Sequence, residues 1–171
     1  MAKAAEAGRP AAVAAKRRAA ARIRRIVIIS AQFNESITQA LVEGAHDELD
    51  RAGVARGRIE VLWVPGAFEL PVTAACVARR RKPEAIIALG CIIKGETSQY
   101  LTLAHAVAQG LTHVAVETGI PVTSGVIVAE TVAQAEARAG GAVANRGREA
   151  ALAALAVLDV VHGLKNRTTA E

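Results

Sequence analysis

Aromatic side chains are nearly absent from this chain of 171 residues, where Phe, Trp and Tyr together make up 2%. Proteins that hold single-stranded nucleic acid do so by stacking bases on rings, so the composition argues against that class of partner. The 52% of hydrophobic residues is therefore mostly Ala, Val, Leu and Ile, which is material for a packed core. Cysteine is scarce as well. Cys76 and Cys91 are the only two, with no CxxC pair and no His at ligand spacing, so neither a disulfide framework nor a zinc site has support; both read as reduced core residues. Also missing are an apolar stretch of the ~20 residues needed to span a bilayer and the apolar region of a signal peptide. A cytoplasmic protein without membrane contact is expected.

Positive charge is present but uneven. The formal net charge is +5, and the stretch "KRRAAARIRR" alone carries six of the 21 Lys and Arg residues. Residues 1–22, "MAKAAEAGRPAAVAAKRRAAAR", are rich in Ala and Arg and broken by Gly-Arg-Pro. They read as a basic tail outside any core. A transit peptide or a nucleic-acid arm shares this composition, but a solvated tail is the commoner outcome. The length suits one domain, placed at 23–165, with a short C-terminal tail at 166–171.

Beyond the tail the pattern turns regular. "RRIVIIS" (24–30) is a β-branched run, followed by Asn34 as an N-cap and a helix with Ile37, Leu41, Ala45 and Leu49 on one face, closed by Gly53. "RIEVLWV" (58–64) stops at Pro-Gly, and "ELPVTAACVARRR" continues as a helix that tolerates Pro71 in its first turn. "EAIIALGC" (84–91) is a third strand, followed by a helix to Thr118, and "PVTSGVIV" (121–128) is a fourth. Thr131 and Gln134 form a capping box for a short helix ending near Gly140. A last helix from Asn145 to about Gly163 is expected to bury Leu152, Leu155 and Ala156. Strands too apolar for a wet face, alternating with helices, imply a parallel sheet covered on both sides. The expected fold is α/β, a three-layer α-β-α sandwich on a four-stranded parallel sheet.

Ligands of such sheets bind outside the carboxyl ends of the strands. The loops there are "AQFNES", "PGAFE", "IIKGETSQ" and "AET", and three of them lead into helix N-termini, where free N–H groups favour an anion. Gly90 and Gly95 have the spacing of a nucleotide-binding P-loop, but Glu96 stands where that loop needs Lys. A carboxylate there would repel a triphosphate. On composition alone, Glu69 could simply complement a helix dipole, Thr97 could be an N-cap, Phe33 a core ring and Arg138 a solvated residue.

Taken together, "QFN", "LVEGAHDEL", "VPGAFELP", "IALGCIIKGET", "GIPVTSGVI" and "ARAG" followed by "NRGREAALAAL" make the chain resemble the lumazine synthase family of riboflavin biosynthesis, from about Arg25 to Leu164. The resemblance implies a flavodoxin-like fold and a metal-free, cofactor-free condensation of 5-amino-6-(D-ribitylamino)uracil with 3,4-dihydroxy-2-butanone 4-phosphate. It places Phe33 against the pyrimidine ring, and Ala67, Phe68 and Glu69 against the ribityl hydroxyls. Cys91, Ile92 and Ile93 would line the uracil through their backbone. Glu96 and Thr97 would hold the butanone phosphate, and Arg138 would reach that phosphate from a neighbouring subunit.

The sequence departs from the family pattern at three positions around the same pocket. Gln99 stands where the family usually has the catalytic His, Ser124 replaces the usual Phe across the subunit boundary, and Arg146 replaces Lys. Gln cannot exchange a proton near neutral pH, and His105, six residues on, should face elsewhere. The resemblance also implies a homopentamer, closing into a sixty-subunit icosahedral shell, with riboflavin synthase as a further partner. The link "RAGGAVANRGRE" shows no insertion that would oppose closure. A different reading of the same residues is a weak paralogue that binds lumazine or riboflavin, or serves as a shell.

Overall fold

The computed structural model describes Ile23 and residues 25–140 and 144–168. The basic segment 1–22, the last residues 169–171 and positions 141–143 of the final link lie outside the described residues.

Two strands form the middle of the sheet. β1 (Ile26–Ala31) is buried at every position, and β3 (Ala85–Ile93) at all but its last. They pair in parallel, Ile26 opposite Ala85 and Ser30 opposite Leu89. β2 (Ile59–Val64) flanks β1, and β4 (Val122–Ala129) flanks β3, giving the all-parallel order β2-β1-β3-β4. With no face open to water, a central strand can be β-branched on both sides, and these are.

Alternate residues of the central strands enter two separate cores. Ile26, Ile28, Ile87 and Leu89 meet helices α1 (Glu35–Ala52), α4 (Val132–Ala137) and α5 (Arg146–Thr168). Val27, Ile29, Ile86 and Ala88 meet α2 (Leu70–Arg81) and α3 (Gln99–Thr118) on the other side. The three-layer, flavodoxin-like sandwich is therefore present. Helix α1 ends at Gly53, whose φ of 94° suits glycine, and Pro71 lies in the first turn of α2, where its missing N–H costs no hydrogen bond. Thr131 caps α4 by accepting from the Gln134 N–H at 3.2 Å, although the Gln134 side chain reaches back to the Glu130 N–H rather than to Thr131.

Four expectations need correction. The edge strands do have wet faces, since Trp63 and Val128 are exposed; only β1 and β3 are covered on both sides. Cys76 is exposed on α2, and Cys91 alone is buried. Asn34 stands at the start of α1 in the left-handed conformation (φ 62°) and makes no side-chain cap, because its amide is used elsewhere. The phase of α5 differs most: Ala150, Ala151, Ala154 and Leu158 are buried, Leu155 is half-buried, and Leu152 and Ala156 face outward.

The reason for that phase is a close helix seam. A Cβ on Gly147 would collide with the Leu41 carbonyl, and one on Gly44 with the Asn145 side chain, so α1 and α5 touch at nearly backbone distance. Asn145 Oδ1 accepts from the Arg148 N–H at 3.0 Å and so caps α5, while its Nδ2 donates to the carbonyls of Ala40 and Ala139 at 3.0 and 3.2 Å. Only small residues fit such a contact, and the larger ones (Leu152, Val157, Val160 and Leu164) turn outward. The last helix runs on to Thr168.

Substituting Gly147 with Ala should therefore be costly. Overpacking against rigid backbone typically costs ~1–3 kcal/mol, and the expected result is a loss at the upper end of that range, read as a lower urea midpoint with an unchanged slope. Unaltered stability would show that α5 can shift away from α1 freely.

Candidate active site

The chain leaves β1 for β2 on one side and returns to β3 on the other, so the topological switch lies between β1 and β3. A cleft of about 320 Å³ sits outside their carboxyl ends, lined by Phe33, Ala67, Cys91, Ile92, Thr97 and Gln99 among others. This is where an open α/β sheet binds its ligand.

Each wall has a local cause. The loop after β1 is fastened to the loop after β2 by the Gln32 N–H to the Val64 carbonyl at 2.8 Å and the Phe33 N–H to the Pro65 carbonyl at 3.1 Å. On the other side the Asn34 amide donates to the Cys91 carbonyl at 3.1 Å, tying the start of α1 to the end of β3. Asn tolerates the left-handed conformation this requires better than other side chains. Phe33 is left 71% exposed, an aromatic face with no core partner, and therefore not a core ring.

After Gly66 the chain makes a 3-10 turn, Ala67–Glu69, that leads into α2. Glu69 Oε2 accepts from the Gly66 N–H at 2.9 Å. The carboxylate thus fixes the turn that brings Ala67 to the cleft, and its other oxygen is not used in that bond. Phe68 is exposed and, like Glu69, does not line the cleft.

The fourth wall is the start of α3. Ser98 occupies the N-cap position but its side chain caps nothing. The Thr97 hydroxyl accepts from the Gln99 N–H at a long 3.4 Å, so Thr97 caps the helix weakly from the residue before the N-cap position. A twenty-residue helix thereby directs weakly satisfied N–H groups at the cleft, an arrangement suited to a phosphate. Glu96 is exposed beside Thr97 and does not line the cleft. Lys94, just before it, lies 3.7 Å from Glu130.

Of the residues singled out from sequence, the fold brings together Phe33, Ala67, Cys91, Ile92, Ile93, Thr97 and Gln99. Ser124 sits on edge strand β4, and its hydroxyl accepts from the Val126 N–H. Arg138 follows α4, with Nη1 donating to the Gln134 carbonyl at 2.9 Å. Neither lines this chain's cleft. Gly66, Gly95, Tyr100 and Leu103 complete the lining; the sequence marks Gly95 only by its P-loop spacing and assigns no role to Tyr100, the only tyrosine. His105 is exposed on α3, outside the cleft.

A larger cleft of about 580 Å³ lies at the opposite pole, lined in part by Arg79, Lys82, Glu84 and His162. There Arg79 pairs with Glu117 at 3.4 Å and His162 with Glu84 at 3.3 Å, and the helices present their C-terminal, partially negative ends. Size favours that cleft; electrostatics favours the smaller one for an anion. No group of three or more His, Cys, Asp or Glu among the described residues could hold a metal, and no described helix is long and apolar enough to cross a membrane.

The fold and site define an α/β domain with a cleft of small-molecule size at the switch point and the amino end of α3 opening onto it. Residues 24–162 match the family model of 6,7-dimethyl-8-ribityllumazine synthase. The 6,7-dimethyl-8-ribityllumazine synthase of Xanthomonas campestris pv. campestris (strain B100) is 47% identical over 137 residues, covering 80% of this chain and 89% of that one. Those of Gemmatimonas aurantiaca and Stenotrophomonas maltophilia are 45% and 44% identical, covering 84% and 90% of their own lengths and 80% and 82% of this chain. The chain belongs to the lumazine synthase family, transferases of riboflavin biosynthesis.

Burial pushes the Cys91 thiol up from 9.0 to about 11. Because the folded value is raised above the unfolded one, its stabilising contribution is complete below the unfolded pKa and disappears as pH rises through the folded value. The neutral thiol should be inert in the folded protein. In a Cys76→Ser background, a thiol reagent at pH 8 should modify Cys91 only after denaturant is added; rapid labelling of folded protein would contradict this burial.

Proposed function

We propose that the protein condenses 5-amino-6-(D-ribitylamino)uracil with 3,4-dihydroxy-2-butanone 4-phosphate to give 6,7-dimethyl-8-ribityllumazine, phosphate and water. The observation that carries this reading is the convergence of Phe33, Ala67, Cys91–Ile93 and Thr97 from four separate segments on one cleft. Phe33 stacks on the pyrimidine, the Cys91–Ile93 backbone reads its edge, and the ribityl chain runs out of the cleft past Ala67 toward Phe68 and Glu69. Thr97, with Glu96 beside it and the amino end of α3 behind it, receives the butanone phosphate.

Arg138 completes the site from a neighbouring subunit, its guanidinium fork matching a phosphate, and Ser124 belongs to the same boundary. This requires an oligomer, which we take to be a pentamer able to close into an icosahedral shell. The outward apolar side chains Leu152, Val157, Val160 and Leu164 are consistent with burial between copies. Riboflavin synthase is the expected consumer of the product and a fitting partner in a cytoplasmic pathway.

Gln99 at the position of the family His favours a second reading, a slow paralogue that binds lumazine or riboflavin, or only builds a shell. Orientation of two reactants contributes more than proton transfer, roughly 10⁵–10⁸ M of effective concentration against ~10²–10⁴-fold. A site that keeps its positioning groups should thus turn over. Purified protein with both substrates should form lumazine faster than the spontaneous condensation; no excess rate would leave only the binding or shell reading.

Replacing Arg138 by Ala removes a phosphate contact and should raise KM for the butanone phosphate about tenfold or more, as expected for a charge-assisted bond of ~1.5–3 kcal/mol, with KM for the ribitylaminouracil unchanged. Equal effects on both substrates, or a wild-type monomer by light scattering that is fully active, would refute the assignment.

A further inference from the structure

With Gln at position 99 the cleft still needs a group that can move a proton, and few candidates reach it. The ionisable side chains among its described lining are Cys91 and Tyr100. Cys91 is buried with its thiol held neutral, and its carbonyl is engaged by Asn34. Glu69, which holds the Gly66 N–H, Lys94, which faces Glu130, Glu96 and His105 do not line the cleft.

Tyr100 differs from all of these. It lies in the first turn of α3 next to Gln99, and with Leu103 it forms the helical face that meets the cleft. Its side chain is half-buried and packs against the second core, which restricts its orientation. Among the described residues nothing hydrogen-bonds its hydroxyl. A core-packed ring with an uncommitted hydroxyl at a ligand cleft is the form in which a tyrosine contributes chemistry as well as packing.

We propose that Tyr100 is the proton-transfer residue of this site, serving where Gln99 cannot; this rests on the condensation proposed above. The pyrimidine amine adds to the ketone carbonyl to give a carbinolamine. Tyr100 Oη then gives its proton to the carbinolamine hydroxyl, which leaves as water while the nitrogen lone pair closes the C=N bond. The N–H proton of the resulting iminium returns to the phenolate. One imine and one water are formed, and the phenol is regenerated. Gln99, which both donates and accepts hydrogen bonds but does not titrate, orients the amine or the departing water.

The test is a double-mutant cycle with Tyr100→Phe and Gln99→His, assayed for kcat and for KM of both substrates. Phe keeps the ring and its packing, and thermal denaturation checks that the variants fold alike. Tyr100→Phe alone should lower kcat at least about tenfold, at the modest end of acid–base effects, with both KM values within about twofold. Gln99→His alone should raise kcat. In the Gln99→His background, loss of the hydroxyl should change kcat by less than about threefold, because an imidazole now moves the proton. An unchanged kcat in Tyr100→Phe, an equal loss in both backgrounds, or an effect confined to KM overturns the role of Tyr100 while leaving the condensation intact. A wild type without any rate above the spontaneous reaction overturns both.

Discussion

Coverage of the sheet on both sides is the constraint from which the rest of the molecule follows. β1 is fully buried and β3 nearly so, so a charge along their length would have to be desolvated at a cost of several kcal/mol. Polar function is thereby driven to the strand ends. At the carboxyl end the helices that follow begin, and their unpaired N–H groups meet whatever lies there; at the amino end the preceding helices finish, with the opposite polarity. The two poles are electrically unlike before any side chain is considered, and the side chains reinforce this. Ser30 marks the boundary of the rule: its hydroxyl is buried on β1 with no hydrogen-bond partner among the described residues, next to the end of the strand where polar groups become tolerable.

The fold was legible because its signals are periodic and local. Continuous apolar runs, Gly53 after a periodic helix and Pro71 in a first turn each have one easy structural solution, and all three were adopted. What could not be read was anything depending on a distance between elements. The outward face of α5 is the clearest instance. On a helical projection Leu152 and Leu155 look more core-like than Ala150 and Ala154, and only the approach of Leu41 to Gly147 reverses that preference. The exposure of Cys76 and of Trp63 likewise reflects position at the periphery, which a sequence pattern does not encode.

The site was legible in its membership more than in its mechanics. Phe33, Ala67, Cys91, Thr97 and Gln99 lie at strand ends or in the loops, turns and helix starts that follow them, and parallel topology alone suffices to gather them at one end of the sheet. Asn34 shows the limit. As a sequence feature it signals a helix cap; in the fold its amide latches one strand end to another, and the residue keeps Phe33 and Cys91 in register across the cleft. Glu69 is similar, since the carboxylate expected at the ligand also builds the turn that positions Ala67. Tyr100 escaped notice because nothing in its spacing distinguishes a cleft-lining aromatic from a core one.

The seam between α1 and α5 has a genetic consequence. Every single-base missense change in a glycine codon introduces a residue with a β-carbon, and at both Gly44 and Gly147 that atom has no room. Neither position therefore has a neutral neighbour one mutation away. At Gly147 the obstacle is the Leu41 main chain, which no exchange of the Leu41 side chain removes, so the seam can change there only if the two helices themselves move apart.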